Sequence, residues 1–136
     1  MPDVTKHSIR RYGSVNDYIT TGEITIVEDG PLTELVYKDA EVEETASDRG
    51  HPIAALITLR QKLEDNHKSI IACNGCRIDT TLRHTGIDIA YVIRNGNIQQ
   101  DDWIGIFEPT DEVEKLSTVK EHEKAYNEWC ETWRFE

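Results

Sequence analysis

Short apolar blocks, separated by polar and turn-forming residues, run along the chain, and their spacing predicts both strands and helices. Residues 23–27 alternate and are β-branched, and an extended segment resumes over residues 32–37. Because Asp-Gly-Pro lies between them at residues 29–31, this stretch predicts a β-hairpin. Residues 1–21 are more mixed and are compatible with a strand and a short helical turn. Residues 39–50 form the most polar stretch, which predicts either a connection or a solvated edge.

Two helices and three short strands are predicted farther along the chain. Pro52 suits the first turn of a helix, and apolar residues recur at helical spacing from there to residue 66. The second helix is expected to follow a cap at Thr110 or Asp111 and to carry an apolar stripe to residue 133. The predicted strands between the helices cover residues 70–73, 87–93 and 103–107.

The order of these elements predicts an α+β fold, with an antiparallel or mixed β-sheet and two main helices packed on one face. A chain of 136 residues is expected to form a single domain, over residues 1–136. No apolar run approaches the ~20 residues of a membrane span, and the first residues lack the apolar region of a secretory signal. Three cysteines, an odd number, fit a reducing compartment. We therefore expect a cytoplasmic protein.

Acidity is the strongest compositional feature. The chain has 26 Asp and Glu against 15 Lys and Arg, a formal net charge of -11. This charge repels nucleic acid and anionic membranes and attracts basic protein surfaces. We therefore expect a basic protein partner, and neither nucleic acid nor a membrane. Acidic residues beside an aromatic residue favour partner binding, since aromatics supply interface anchors. The candidate partner-binding residues are Glu41, Glu43, Glu44, Asp48, Asp101, Asp102 and Trp103.

The CxxC motif at residues 73–76 has three interpretations. In a redox dithiol, one thiolate attacks and the other resolves. In a structural zinc site, His84 and Cys130 are the further donors, but the chain has no second close pair. In a structural turn, Asn-Gly ends the strand and Cys73 lies in the core. The residues after Cys76 are β-prone rather than helical, which favours the turn, and we expect no metal and no cofactor.

The histidines form no paired motif, and no nucleophile elbow or nucleotide-binding loop is present. His122 lies between two glutamates and is expected on a solvated helix face. Arg77 and Asp79 occupy alternate positions, which on a strand would place them on one face and within reach of each other.

Several of these segments resemble a group of small bacterial proteins. The shared pattern is CNGxRxD at residues 73–79, AYxI at 90–93 and IF at 106–107. The segment with matching elements covers roughly half of the chain. Residues 80–86 depart from the group's Pro-Ser-Gly-Met, Ile89 replaces a lysine, and Glu108 replaces an aspartate. Alanine or serine commonly replaces the second cysteine in the group, which speaks against an obligate pair.

Proteins of that group look like immunity proteins encoded beside secreted or contact-delivered toxins. The resemblance implies a non-enzymatic protein that neutralises a cognate toxin domain by covering it. A basic groove, such as that of a nuclease, would suit the acidic surface of this chain. Two alternatives stay open: a thiol-dependent oxidoreductase that uses Cys73 and Cys76, and a non-enzymatic adaptor.

Overall fold

The computed structural model describes residues 2–13, 17–83 and 85–134, with side chains to residue 132. The first half contains four long strands and a helix: β1 (Asp3–Tyr12), β2 (Tyr18–Asp29), β3 (Leu32–Lys38), β4 (Glu43–Arg49) and α1 (Pro52–His67). The second half contains three short strands and a helix: β5 (Ile70–Ile71), β6 (Ile89–Tyr91), β7 (Trp103–Gly105) and α2 (Val119–Arg134). Two single 3₁₀ turns cover Asn74–Cys76 and Val113–Lys115.

Antiparallel pairing joins five strands into one sheet with the order β4-β3-β2-β1-β5, and β6 pairs with β7 separately. The predicted α+β class is therefore confirmed. The predicted hairpin is β2–β3, in which Asp29 pairs with Leu32 across a tight turn. Gly30 adopts a φ of 59° in that turn, a conformation that glycine reaches without steric cost.

Alternation along the strands separates a buried inner face of the large sheet from a solvated outer face. The inner row of β2 and β3 contains Ile24, Ile26, Leu35 and Tyr37, all essentially inaccessible. Helix α1 packs against this face and contacts β3, β4 and β5. Pro52 lies in its first turn, as expected, and Lys68 ends it in a left-handed conformation. The core therefore lies between α1 and the large sheet.

Residues 43–49 form the edge strand β4, so of the two alternatives for that stretch the solvated edge is right. Three other local expectations need correction. The first residues form the long strand β1, without a helical turn among the described ones (14–16 lie outside them). The strands predicted at 70–73, 87–93 and 103–107 are shorter than expected.

The start of the second helix is the third correction. Helix α2 begins at Val119, not after Thr110 or Asp111. A capping box sets this start, because Thr118 Oγ1 accepts the N–H of Glu121 (3.2 Å) and Glu121 Oε1 accepts the N–H of Thr118 (2.9 Å). Among the described residues, neither helix has the length and apolar character needed to cross a bilayer.

Candidate functional site

The small sheet presents an exposed apolar surface, which we call the β6–β7 face: Ile87, Ile89, Tyr91, Ile98 and Trp103. Tyr91 pairs directly with Trp103, so their side chains share one side of the sheet. Trp103 is 53% exposed and Ile87 is 54% exposed. The other three residues are partly buried. An open depression of about 500 Å³ continues this surface past Ile89 and Ile98. A contiguous exposed apolar patch of this kind is typical of an interaction site.

The segment that contains β7 is acidic. Residues 99–114 contain six Asp and Glu and no Lys or Arg. Asp102 pairs with Arg94, with Nε at 2.7 Å from Oδ2. Asp101 is exposed and forms no ion pair within the part of the chain that the structure describes. Three of the seven predicted partner-binding residues, Asp101, Asp102 and Trp103, are consecutive at the start of β7, and two of them, Asp101 and Trp103, are exposed.

The other four predicted residues lie on or beside the edge strand β4, in the other sheet. Glu41 and Glu43 are well exposed, and each forms one long ion pair: Arg11 lies 3.6 Å from Glu41 and Lys38 lies 3.8 Å from Glu43. A long pair to an exposed carboxylate contributes little to stability. These two carboxylates are therefore available to a partner.

Glu44 and Asp48 instead connect β4 to the two ends of α1. Glu44 Oε2 accepts a hydrogen bond from Asn66 (3.1 Å) and contacts His67 Nε2 at 2.8 Å. The bond from Asn66, together with His67, lowers the pKa of Glu44. Asp48 Oδ2 accepts the N–H of His51 (3.1 Å), just before the helix. These carboxylates hold the helix on the sheet, a role that the sequence prediction did not assign to them.

The CxxC turn is buried. Cys73 and Cys76 have no exposed surface, and their Sγ atoms lie 3.4 Å apart as free thiols. The hydrogen bond with Cys76, together with burial, raises the pKa of the Cys73 thiol. Between them, Gly75 packs so closely against Leu56 and Ile106 that a side chain would not fit. These observations favour the structural interpretation over a reactive dithiol.

No three potential ligands among the described residues are arranged to hold a metal ion. His84, one of the donors considered for zinc, lies outside the described residues. Cys130 is half-buried on α2 and is a free thiol.

A buried polar network joins α1, the CxxC turn and α2. Arg60 is 2% exposed. It donates to the carbonyls of Gly75 (3.1 Å) and Ser117 (3.0 Å), and to His122 Nδ1 at 3.0 Å. Since Nδ1 accepts from arginine, Nε2 of His122 carries the proton and donates to the carbonyl of Thr80 (2.8 Å). The network therefore satisfies main-chain acceptors that would otherwise be buried without donors.

His122 is completely buried, so the expectation that it lies on a solvated helix face is wrong. Burial and the nearby Arg60 lower its pKa to about 3, so it is neutral at physiological pH. A sequence signal for this burial exists, since His122 is three residues after Val119 and four before Tyr126, both of them on the apolar stripe of α2.

Two ion pairs support neighbouring turns. Arg77 donates to both carboxylate oxygens of Asp79 (2.9 and 2.7 Å), as predicted, although the two residues lie in a turn rather than on a strand. Asp39, unexposed, accepts from Arg11 Nε and the Tyr37 hydroxyl, each at 2.7 Å. Although burial opposes it, these bonds and the Arg11 charge lower the pKa of Asp39 to about 2. This carboxylate is therefore structural, not part of the free acidic surface.

Comparison with models of known protein families, with curated proteins and with solved structures finds no match to this chain. The fold and the exposed surfaces described above are therefore what supports a functional proposal.

Proposed function

We propose that this protein is a binding protein of the immunity type, which neutralises a cognate toxin domain by covering a basic surface on it. The supporting observation is the half-exposed Trp103, which lies opposite Tyr91 in the small sheet and follows the exposed Asp101 two residues later in the sequence. The residue pattern shared with immunity-like proteins suggests the toxin as partner. The exposure of the β6–β7 face supports docking of that partner there.

In this proposal, the aromatic and the acidic residues contribute differently to binding. A large aromatic side chain that becomes fully buried on binding supplies much of the affinity, because interface energy concentrates in a few such residues. The carboxylates speed the encounter with a basic partner and disfavour acidic ones. A nuclease-type toxin has a basic groove for the phosphate backbone, and an acidic inhibitor would compete for it.

The experiment is a capture assay with the immobilised protein and lysate of its native host, washed first at low and then at high salt. We expect one stoichiometric basic partner that resists moderate salt. Trp103→Ala should weaken its binding at least ~10-fold, the loss of about 1.4 kcal/mol or more that is typical of an interface anchor. Tyr18→Ala is the matched control, because Tyr18 has the same 53% exposure but lies on β2.

A charge test uses the same format. Asp101→Lys should slow association and reduce its salt dependence, whereas Glu34→Lys, an exposed change on β3, should have a smaller effect. Equal losses for Trp103→Ala and Tyr18→Ala would contradict the proposed docking surface.

The toxin part of the proposal is tested separately, with the captured partner expressed alone and together with this protein. Growth arrest by the partner alone, relieved by the wild-type protein but not by Trp103→Ala, is the expected result. A harmless partner would point instead to the adaptor alternative.

A further inference from the structure

Strand β1 has a long open edge. It pairs with β2 along its whole length, but on its other side β5 pairs only with Arg11 and Tyr12. The main-chain N–H of Ala72 also donates to the carbonyl of Arg10 (2.8 Å). Residues 3–9 therefore have no neighbouring strand on this side within the described part of the chain, and all of them except His7 and Ile9 are exposed.

The register shows which main-chain groups face that open edge. Because the carbonyl of Arg10 points toward β5, the N–H and C=O groups of Ser8, Lys6 and Val4 point the same way. The odd-numbered residues bond to β2 instead. No hydrogen bond to the outward groups of these three residues is found among the described residues. A free row of donors and acceptors of this kind is a template for an added strand.

A cleft lies directly beside this edge, on the inner side of the sheet. It has a volume of about 180 Å³, and its lining includes Thr5 and His7 of β1 and the acidic residues Glu28, Asp88 and Glu108. Burial, together with the negative charges of Asp88 and Asp3, raises the pKa of Glu28. None of the three acidic residues pairs with a cation within the described residues.

We propose that the open edge of β1 binds an extended, basic segment of a partner protein by strand addition. The segment would run antiparallel to β1, in line with β5, and bond to the outward groups of Val4, Lys6 and Ser8. Alternate side chains of the added strand would point into the cleft. Lysine or arginine at those positions would meet Glu28, Asp88 and Glu108.

The outer face sets the remaining positions of the segment. There the added strand would lie beside Lys6 of β1, so basic residues are disfavoured and neutral or acidic ones fit. The partner segment is thus recognised by an alternation of charge, not by total positive charge. This site is separate from the β6–β7 face, and either proposal can fail without the other.

The test uses a synthetic seven-residue peptide in which threonine and lysine alternate, and a second peptide with the same composition but with its lysines clustered. Calorimetry on the wild-type protein should show the alternating peptide binding at least ~10-fold more tightly. Amide exchange should show new protection at Val4, Lys6 and Ser8 on binding. Equal binding of the two peptides, or unchanged exchange at these amides, would overturn the proposal.

Two variants separate main-chain pairing from charge. Lys6→Pro removes an outward N–H that no strand uses, so β1 should still pair with β2, as edge prolines do. It should abolish binding of the alternating peptide, whereas Lys6→Ala should not. Glu108→Gln should weaken the same binding several-fold, while Glu114→Gln, an exposed change outside the cleft, should leave it unchanged. If Lys6→Pro and Lys6→Ala bind alike, strand addition is wrong.

Discussion

Replacement of the buried His122 by glutamine should remove a large part of the acid sensitivity of this fold. In the folded protein the imidazole is held neutral, with a pKa of about 3 against an ordinary histidine pKa of 6.5. The unfolded chain therefore takes up a proton at a higher pH than the folded protein does. The stability associated with the neutral imidazole is present above pH 6.5 and is lost as the pH falls from 6.5 toward 3.

The size of this effect follows from the two pKa values. For each pH unit below the pKa of the unfolded-state histidine, the free energy of unfolding falls by about 1.4 kcal/mol. A pH of 5 lies about 1.5 units below that pKa. The wild-type protein should therefore lose about 2 kcal/mol through His122 between pH 7 and pH 5. Glutamine cannot take up that proton, yet its amide offers an acceptor toward Arg60 and a donor toward Thr80.

The measurement is urea denaturation at pH 7, 6 and 5, with the free energy of unfolding compared between wild type and variant. Other titrating groups cancel in the difference, so His122→Gln should lose about 2 kcal/mol less than wild type across this range. His51→Gln, a change at an exposed histidine, should keep the wild-type slope. Identical slopes for wild type and His122→Gln would refute the assignment of a neutral, buried imidazole.

Three further predictions concern the packing. Asp39→Asn should destabilise the fold by about 3 kcal/mol in denaturant titration, because it removes the close, buried counter-ion of Arg11 and leaves only the longer pair to the exposed Glu41; a loss below 1 kcal/mol would contradict this. Thr118→Ala should cost about 1 kcal/mol through loss of the helix cap, with no change in the m-value. Iodoacetamide should modify Cys130 in the native protein but reach Cys73 and Cys76 only after denaturation; rapid native modification of either would favour the thiol-oxidoreductase alternative.

The β2–β3 hairpin and α1 could be predicted from the sequence because their signals are local. Asp-Gly-Pro at residues 29–31 and Pro52 act on their own neighbours, whatever the rest of the chain does. The predicted start of α2 was wrong because a local capping signal does not always begin a long helix. Thr110 Oγ1 does accept a main-chain N–H, from Glu112 at 3.1 Å, but only a single 3₁₀ turn follows. The capping box that begins the helix lies eight residues later, at Thr118.

The candidate site was predicted less well, because pairing between distant residues decides which carboxylates are free. Glu44 and Asp48 looked like the same acidic run as Glu41 and Glu43, yet contacts to both ends of α1 occupy them. Only the three-dimensional register reveals this, since the partners of Glu44 come from residues 66 and 67. The open edge of β1 was missed for the same reason, because local sequence patterns do not determine the order of strands in a sheet.

Net charge predicts that a basic partner is favoured but not where it binds. The location depends on which carboxylates already have a donor or a cation. Asp39 is buried with Arg11, and Asp102 is paired with Arg94, so neither adds much to the field around the molecule. Asp88, Asp101 and Glu108 lack such pairing among the described residues, and all three lie on or beside the two strands of the small sheet. The salt-dependent part of partner binding should therefore respond to changes at these residues more than to equal changes at Glu44 and Asp48, whose carboxylates are already bonded to the ends of α1.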